Sequence, residues 1–344
     1  MIHLLILRDR KPGHYKKSEA IAQAITRSRP ATTSRLDVRM KFAAYHNLLK
    51  LYLRQHRTLP GLTWLKAIYR LPHGLPDTPD LIISSGGKTA FINAWLAQHY
   101  QCPNVFIGDS RGISNEYFSR LVVHDDQHPQ DPRFVTAPIP TEITSHLLKR
   151  AEADYLTGKP APFAQTSHWT LLVGGRSGGY RYTRADWSDL ANSLPVLAAR
   201  FNIRWLITTS RRSDRICEQL LSTPEVRRSV DELQFVRTDP RRIYNALLAR
   251  GSTIFCTEDS GTMLTEAAAT GKPVVSLRPR KADATPALDA LLDYYVHRGQ
   301  MQRIPLKDLI RLDVPSLTAH AVPDANESLV EVSARIQELL PAAA

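Results

Sequence analysis

Thr253-Ile-Phe-Cys-Thr-Glu-Asp-Ser-Gly-Thr-Met-Leu-Thr-Glu-Ala-Ala-Ala-Thr-Gly-Lys-Pro-Val-Val-Ser-Leu277 decides the fold class. The apolar run Thr253–Cys256 reads as a buried strand, and a helical stretch follows it. Gly271 closes that helix, and Pro273 opens a second apolar run, Val274–Leu277. Asp259 or Ser260 can cap the helix, which leaves the N–H groups of Ser260, Gly261, Thr262 and Met263 free to hold a diphosphate. Gly261 lets the backbone approach a ligand closely. Glu266, about one and a half turns on, can accept hydrogen bonds from both hydroxyls of a ribose. Taken alone, the segment is equally a generic strand–helix–strand unit with Glu266 as a solvated helix residue.

The same alternation continues outward. Leu4–Leu7, Val38–Phe42, Leu81–Ser84, Val105–Ile107 and Leu121–Val123 read as strands in the first half, with helices at Lys16–Ile25 and Ala90–His99. The pattern restarts at Thr170–Val173 and runs through Trp205–Thr209, Leu233–Val236, Thr253–Cys256 and Val274–Leu277, with helices at Arg184–Ala199 and Ile243–Leu248. Strands alternating with helices predict parallel sheets covered on both faces. The expected architecture is therefore α/β, two doubly wound, Rossmann-like domains facing a cleft. Residues 1–150 form the first, 151–166 a linker and 167–325 the second, while 326–344 supply a last helix that can cross back onto the first.

The 344 residues and 43% apolar content suffice for two cores, and this excludes a disordered chain. Cys102, Cys217 and Cys256 offer neither a disulfide framework nor zinc spacing. Met1–Arg8 reads as a strand rather than a signal peptide, so a cytoplasmic protein is expected. The net charge of +12 calls for an anionic partner. From Val38 to Pro76 there is no acidic residue, whereas Arg39, Lys41, Lys50, Arg54, Arg57, Lys66 and Arg70 are basic. Tyr45, Leu48, Leu49 and Tyr52 share one helical stripe there, and Leu62, Trp64, Leu65, Ile68 and Tyr69 follow. Such a region (39–70) suits an anionic membrane surface. The plainer reading is a helix pair with one core face and one solvated basic face.

In open parallel sheets, ligands sit beyond the carboxyl ends of the strands. Gly174, Gly175 and Arg176 follow Leu171–Val173, and Ser210, Arg211 and Arg212 follow Trp205–Thr209. Glycines there expose N–H groups, and paired guanidinium groups suit phosphate oxygens. After the first strand come Asp9 and His14. A histidine titrates in the range a general base needs, and Asp9 is either a rival base or its orienting partner. Asp109 and His124-Asp125-Asp126 have weaker claims. Gly86-Gly87-Lys88-Thr89 mimics the tail of a phosphate-binding loop, but Ile82 stands where that pattern needs glycine. No Asp-x-Asp occurs, so no metal and no other cofactor is expected.

The segment from Asp259 to Pro273 resembles the donor half of GT-B glycosyltransferases, including the lipid-linked peptidoglycan transferase. Three stretches resemble, in order, the elongated-mitochondria (mitochondrial fission) family, whose bacterial members are treated as glycosyltransferases. They are Asp9-Arg10-Lys11-Pro12-Gly13-His14, Ser210-Arg211-Arg212, and Asp259 to Ala267 with Thr270 to Val274. The chain departs from the family at Ser213-Asp214 and at Asp239-Pro240-Arg241, with Tyr244 further on.

The resemblance implies a GT-B glycosyltransferase that moves a sugar from a nucleotide donor to a hydroxyl, on a lipid-linked glycan or lipopolysaccharide core. The donor would lie on Gly174, Gly175, Arg176, Ser210, Arg211, Arg212, Asp259, Ser260, Gly261, Thr262, Met263 and Glu266, with His14 or Asp9 as base. The enzyme would be peripheral on the inner face of the cytoplasmic membrane. The alternatives are a nucleotide-sugar epimerase or hydrolase of the same fold, and a non-catalytic membrane-associated scaffold. Nucleic acid is not an expected partner, because no binding module for it is present.

Overall fold

The computed structural model describes residues 1–9, 11–42, 44–55, 58–71, 75, 77–108, 110, 112–123, 130–177, 179–313 and 325–341. Asp109 and His124-Asp125-Asp126 therefore lie outside the described residues. The chain divides into two compact units, 1–142 with 326–344, and 143–325.

In the first unit, β1 (Ile2–Arg8), α1 (Pro12–Ser28) and β2 (Ala31–Asp37) are followed by a small excursion. It comprises β3 (Arg39–Met40), α2 (Ala44–Gln55), α3 (Leu62–Ile68) and β4 (Tyr69–Arg70). Then come β5 (Leu81–Ser85), α4 (Gly87–Tyr100), β6 (Asn104–Ile107), β7 (Arg120–Val123) and β8 (Phe134–Thr136). The main sheet has the order β2-β1-β5-β6-β7-β8, and every pairing in it is parallel. Leu4, Leu5, Ile6 and Leu7 are fully buried, as a strand covered on both faces requires.

In the second unit, α5 (Ser145–Leu156) and α6 (Ala161–Gln165) precede β9 (His168–Val173), β10 (Tyr180–Arg181), α7 (Arg184–Phe201) and β11 (Arg204–Thr209). Next are α8 (Arg215–Leu221), α9 (Pro224–Arg227), β12 (Val230–Gln234), α10 (Tyr244–Arg250), β13 (Thr253–Thr257) and α11 (Gly261–Ala268). The unit ends with β14 (Val274–Arg278), β15 (Lys281–Ala282), α12 (Pro286–His297) and β16 (Met301–Pro305). Its sheet runs β12-β11-β9-β13-β14-β16, again wholly parallel. Trp169, Trp205 and Phe255 from its three central strands pack ring against ring and anchor the core. Thr183 and Asp186 close a reciprocal cap at the start of α7.

The expected strand Val38–Phe42 is displaced. The second strand of the sheet is β2, and residues 39–40 pair with 69–70 instead. β2 is an edge strand with a half-exposed, polar sequence, so it lacks a continuous apolar run. The same cause hides β8 and β16 at the far edges of the two sheets. It also moves Leu233–Val236 back to Val230–Gln234, an edge strand with alternating burial. The stretch 151–166, read as a linker, falls in the second unit, where α5 and α6 occupy most of it. Tyr155 donates there to Glu232 at 2.7 Å, and Arg250 to the Thr166 carbonyl at 2.8 Å.

The last helix, α13 (Ala325–Gln337), belongs to the first unit almost entirely. Leu329, Val332, Ile336 and Leu340 join Ile2, Leu4, Ile21 and Ile25 in one apolar cluster. Arg29 donates to the Pro341 carbonyl at 2.8 Å and fixes its end.

Candidate functional site

In each sheet the chain builds outward from one strand, then returns across it to build the other side. The reversal falls between β1 and β5 in the first unit and between β9 and β13 in the second. A ligand crevice is expected beyond the carboxyl ends of such strand pairs. The sequence-predicted residues collect at both places.

In the second unit, the loops after β9, β11 and β13 are knotted around Asp259. Its side chain is fully buried. It accepts from the Gly175 N–H at 3.0 Å, from Arg212 Nη2 at 2.9 Å and from Thr257 Oγ1 at 2.7 Å. Thr257 in turn accepts from the Gly174 N–H at 2.7 Å. Burial pushes the Asp259 carboxyl above its ordinary range, while Arg212, Thr257 and Gly175 pull it the other way.

Both glycines are sterically obligatory. A Cβ on Gly174 would stand 2.6 Å from the Asp259 carboxyl carbon, and one on Gly175 2.5 Å from the Arg212 carbonyl carbon. The buried Ser213 hydroxyl locks the arginine turn by donating to the Val173 carbonyl at 3.0 Å. These contacts give two of the sequence-predicted features a structural role. Asp259, read as a donor contact, faces inward because three protein donors converge on it, so it braces the loops. Gly174 and Gly175 spend their N–H groups on the same brace rather than on a ligand.

Ser260 is the N-cap of α11, with Oγ accepting from Met263 N–H at 3.5 Å. Among the described residues, the N–H groups of Gly261 and Thr262 have no hydrogen-bond partner. Arg176 and Arg211 are exposed and join no described ion pair, whereas Arg212 is partly committed to Asp259. Ser210 serves the turn, its Oγ accepting from the Arg212 N–H at 3.1 Å.

Glu266 is only 8% exposed, which overturns the reading of a solvated helix residue. It stands four residues after Thr262, on the same face of α11. Beside it is Tyr244 at the start of α10. Burial first, and then the Glu266 charge, push the Tyr244 hydroxyl well above its ordinary range. Nothing in the linear spacing signalled this pairing.

In the first unit, Asp9 Oδ2 lies 2.7 Å from His14 Nδ1, and Asp9 Oδ1 accepts from the Lys11 N–H at 3.0 Å. Asp9 is thus the orienting partner of His14. The bond holds the imidazole with Nδ1 inward and leaves Nε2 without a partner among the described residues. The ring packs on Gly86, where a Cβ would meet its Cγ at 2.7 Å. Gly86 also sits at φ 96°, in the region that favours glycine. The loop that mimicked a phosphate-binding motif is therefore the seat of His14.

Two parallel six-stranded α/β sheets of this kind define the GT-B class. The chain aligns over 98% of its length with the S. aureus MnaA–UDP structure (95% of that chain), at TM-score 0.60 and 12% identity. UDP-GlcNAc 2-epimerase from Neisseria meningitidis, bound to UDP-GlcNAc, aligns over 98% of this chain and all of its own, at 0.57 and 13%. MurG from Acinetobacter baumannii does so over 98% and 100%, at 0.52 and 14%. Those likenesses show the fold. No curated protein matches the chain in sequence. The chain belongs to the mitochondrial fission ELM1 family, whose model matches residues 12–306.

Proposed function

We propose that the second unit binds a nucleotide sugar and that the chain transfers the sugar to a hydroxyl acceptor on a membrane lipid-linked glycan or lipopolysaccharide core. The observation that carries this reading is Glu266: a buried carboxylate on α11, four residues beyond Thr262, whose N–H is free at the helix start. A diphosphate accepts from the N–H groups of Gly261 and Thr262, with Arg211 and Arg176 adding charge. The ribose diol donates to Glu266. Arginine and helix N-terminus stabilise the leaving diphosphate, so the proposal needs no metal and no cofactor.

His14 Nε2 takes the proton of the acceptor hydroxyl, and Asp9 steadies the imidazolium that forms. The fold neighbours solved with UDP or UDP-GlcNAc make uridine nucleotides the first ligands to try. With such an acceptor, the proposal includes a peripheral position on the inner face of the cytoplasmic membrane.

Titration calorimetry with a panel of nucleotide sugars tests the donor site. Glu266→Ala is expected to weaken the ligand by roughly a hundredfold, as a charged hydrogen-bond acceptor lost from a ribose diol implies. Unchanged affinity for every ligand bound by the parent protein would reject the assignment. Donor turnover with no acceptor present would instead identify an epimerase or hydrolase.

A further inference from the structure

We propose that the excursion from Arg39 to Arg70 in the first unit is a docking surface for a bilayer carrying anionic lipid. Its helices are apolar on two sides. One side is core: Leu49, Leu65, Ile68 and Tyr69 are buried, and Tyr45 packs against them. Other apolar residues of the block face solvent: Leu48 on α2 is 57% exposed, Leu51 52%, Trp64 on α3 61%, and Phe42, just ahead of α2, 62%. A plain amphipathic helix pair would place polar residues there.

The block is tied together at its base. β3 and β4 pair antiparallel, the Lys41 N–H donates to the Ile68 carbonyl at 2.9 Å, and Lys41 Nζ donates to the Lys66 carbonyl at 2.9 Å. Phe42 sets its ring edge-on to Tyr45 at 5.5 Å. Exposed apolar side chains and cations thus belong to one small structure.

Charge complementarity chooses the occupant. Arg39, Lys41, Lys66 and Arg70 are all exposed, and no carboxylate occurs between Val38 and Pro76. Arg39 and Arg70 stand directly opposite each other across the β3–β4 pair, and no described ion pair relieves them. Like charges so placed are unfavourable in water and favourable against a negative surface. A second copy of the block would bring like charge against like. Nucleic acid has no use for exposed leucines, whereas lipid accepts leucine, phenylalanine and tryptophan at the depth where cations meet phosphate.

This surface is independent of the nucleotide site, and the two can fail separately. The test is co-sedimentation of the full chain with phosphatidylcholine vesicles, with and without phosphatidylglycerol. Binding is expected only when phosphatidylglycerol is present, with about a fivefold loss for each of Arg39 and Arg70 changed to Ser. Leu48→Ser with Leu51→Ser and Trp64→Ser should lower binding by roughly tenfold or more, while circular dichroism and nucleotide affinity stay as in the parent.

A brominated lipid should quench Trp64 fluorescence, and Trp64→Phe should remove that quenched component. Equal binding to pure phosphatidylcholine would overturn the proposal. So would undiminished binding by the triple variant, or a patch that captures duplex DNA or a second copy and leaves vesicles alone.

Discussion

Gly175→Ala is the sharpest perturbation of the Asp259 knot. The new methyl carbon would stand 2.5 Å from the Arg212 carbonyl carbon and 3.0 Å from the Ser213 nitrogen, and it would overlap the Arg212 oxygen. Non-bonded carbons settle at about 3.5 Å or more, so the arginine turn must retreat by about 1 Å. That turn cannot slide freely, because the Ser213 hydroxyl is buried and bound to the Val173 carbonyl. Overpacking of this kind costs about 1–3 kcal/mol. Retreat also stretches either Arg212–Asp259 at 2.9 Å or Gly175–Asp259 at 3.0 Å. Each is a bond to a charged group, contributing about 1.5–3 kcal/mol. The methyl returns about 0.4–1 kcal/mol by stiffening the unfolded chain. The net expectation is a loss of about 2–5 kcal/mol, measured by urea unfolding, with nucleotide affinity falling as Arg211 shifts alongside. A variant within about 0.5 kcal/mol of the parent, with unchanged affinity, would refute the claim that these loops are locked together.

Three further outcomes follow from the geometry. His14→Ala should lower the turnover rate by roughly 10²–10⁴-fold with nucleotide affinity unchanged in calorimetry; normal turnover would remove His14 from the chemistry. Arg303→Met should destabilise by about 3 kcal/mol or more in urea, because Arg303 Nε and Nη2 pair at 2.9 and 3.2 Å with the fully buried Glu258 and would leave that charge stranded; a neutral result would show that Arg278, 3.9 Å away, takes over. Burial lowers His168 below its ordinary 6.5 despite Asp231 at 2.9 Å, so the unfolded chain takes up this proton first as pH falls. Stability should therefore decline below about pH 6.5, and His168→Gln should flatten that part of the unfolding profile; an unchanged slope would assign the acid sensitivity elsewhere.

The legible parts of this fold are those where burial is complete. β1, β5, β9 and β13 are covered on both faces, so their apolar runs announce them, and they are the strands that flank the two reversals of strand order. The edges were harder to read for the opposite reason. β2 reads Ala-Thr-Thr-Ser-Arg-Leu-Asp because one side of it meets water, and its neighbour Val38–Phe42 looked the better strand. Glu266 and Ser260 were legible by spacing along one helix. The closeness of Glu266 to Tyr244 was not, since the two stand on different helices twenty-two positions apart in the chain.

The same distinction separates the residues proposed to touch a ligand from those that hold the loops in place. A strand-end Asp-Ser-Gly reads as one motif, yet its members divide the work. Asp259 turns inward and ties three loops together, while Ser260 and Gly261 start α11, whose first turn is only half-buried. The glycine pair after β9 reads as a phosphate loop, yet its N–H groups are held by Thr257 and Asp259. Among the described residues, two helix-start N–H groups, Arg176 and Arg211 have no hydrogen-bond or ion-pair partner, and Glu266 lies buried on the same face of α11 as Thr262. A ligand held as proposed places anionic oxygens near Arg211 and a hydrogen-bond donor near Glu266. A diphosphate joined to a sugar diol meets both demands; an inorganic anion meets only the first. Competition between pyrophosphate and a nucleoside diphosphate should therefore favour the nucleotide in the parent protein, and the preference should disappear in Glu266→Ala.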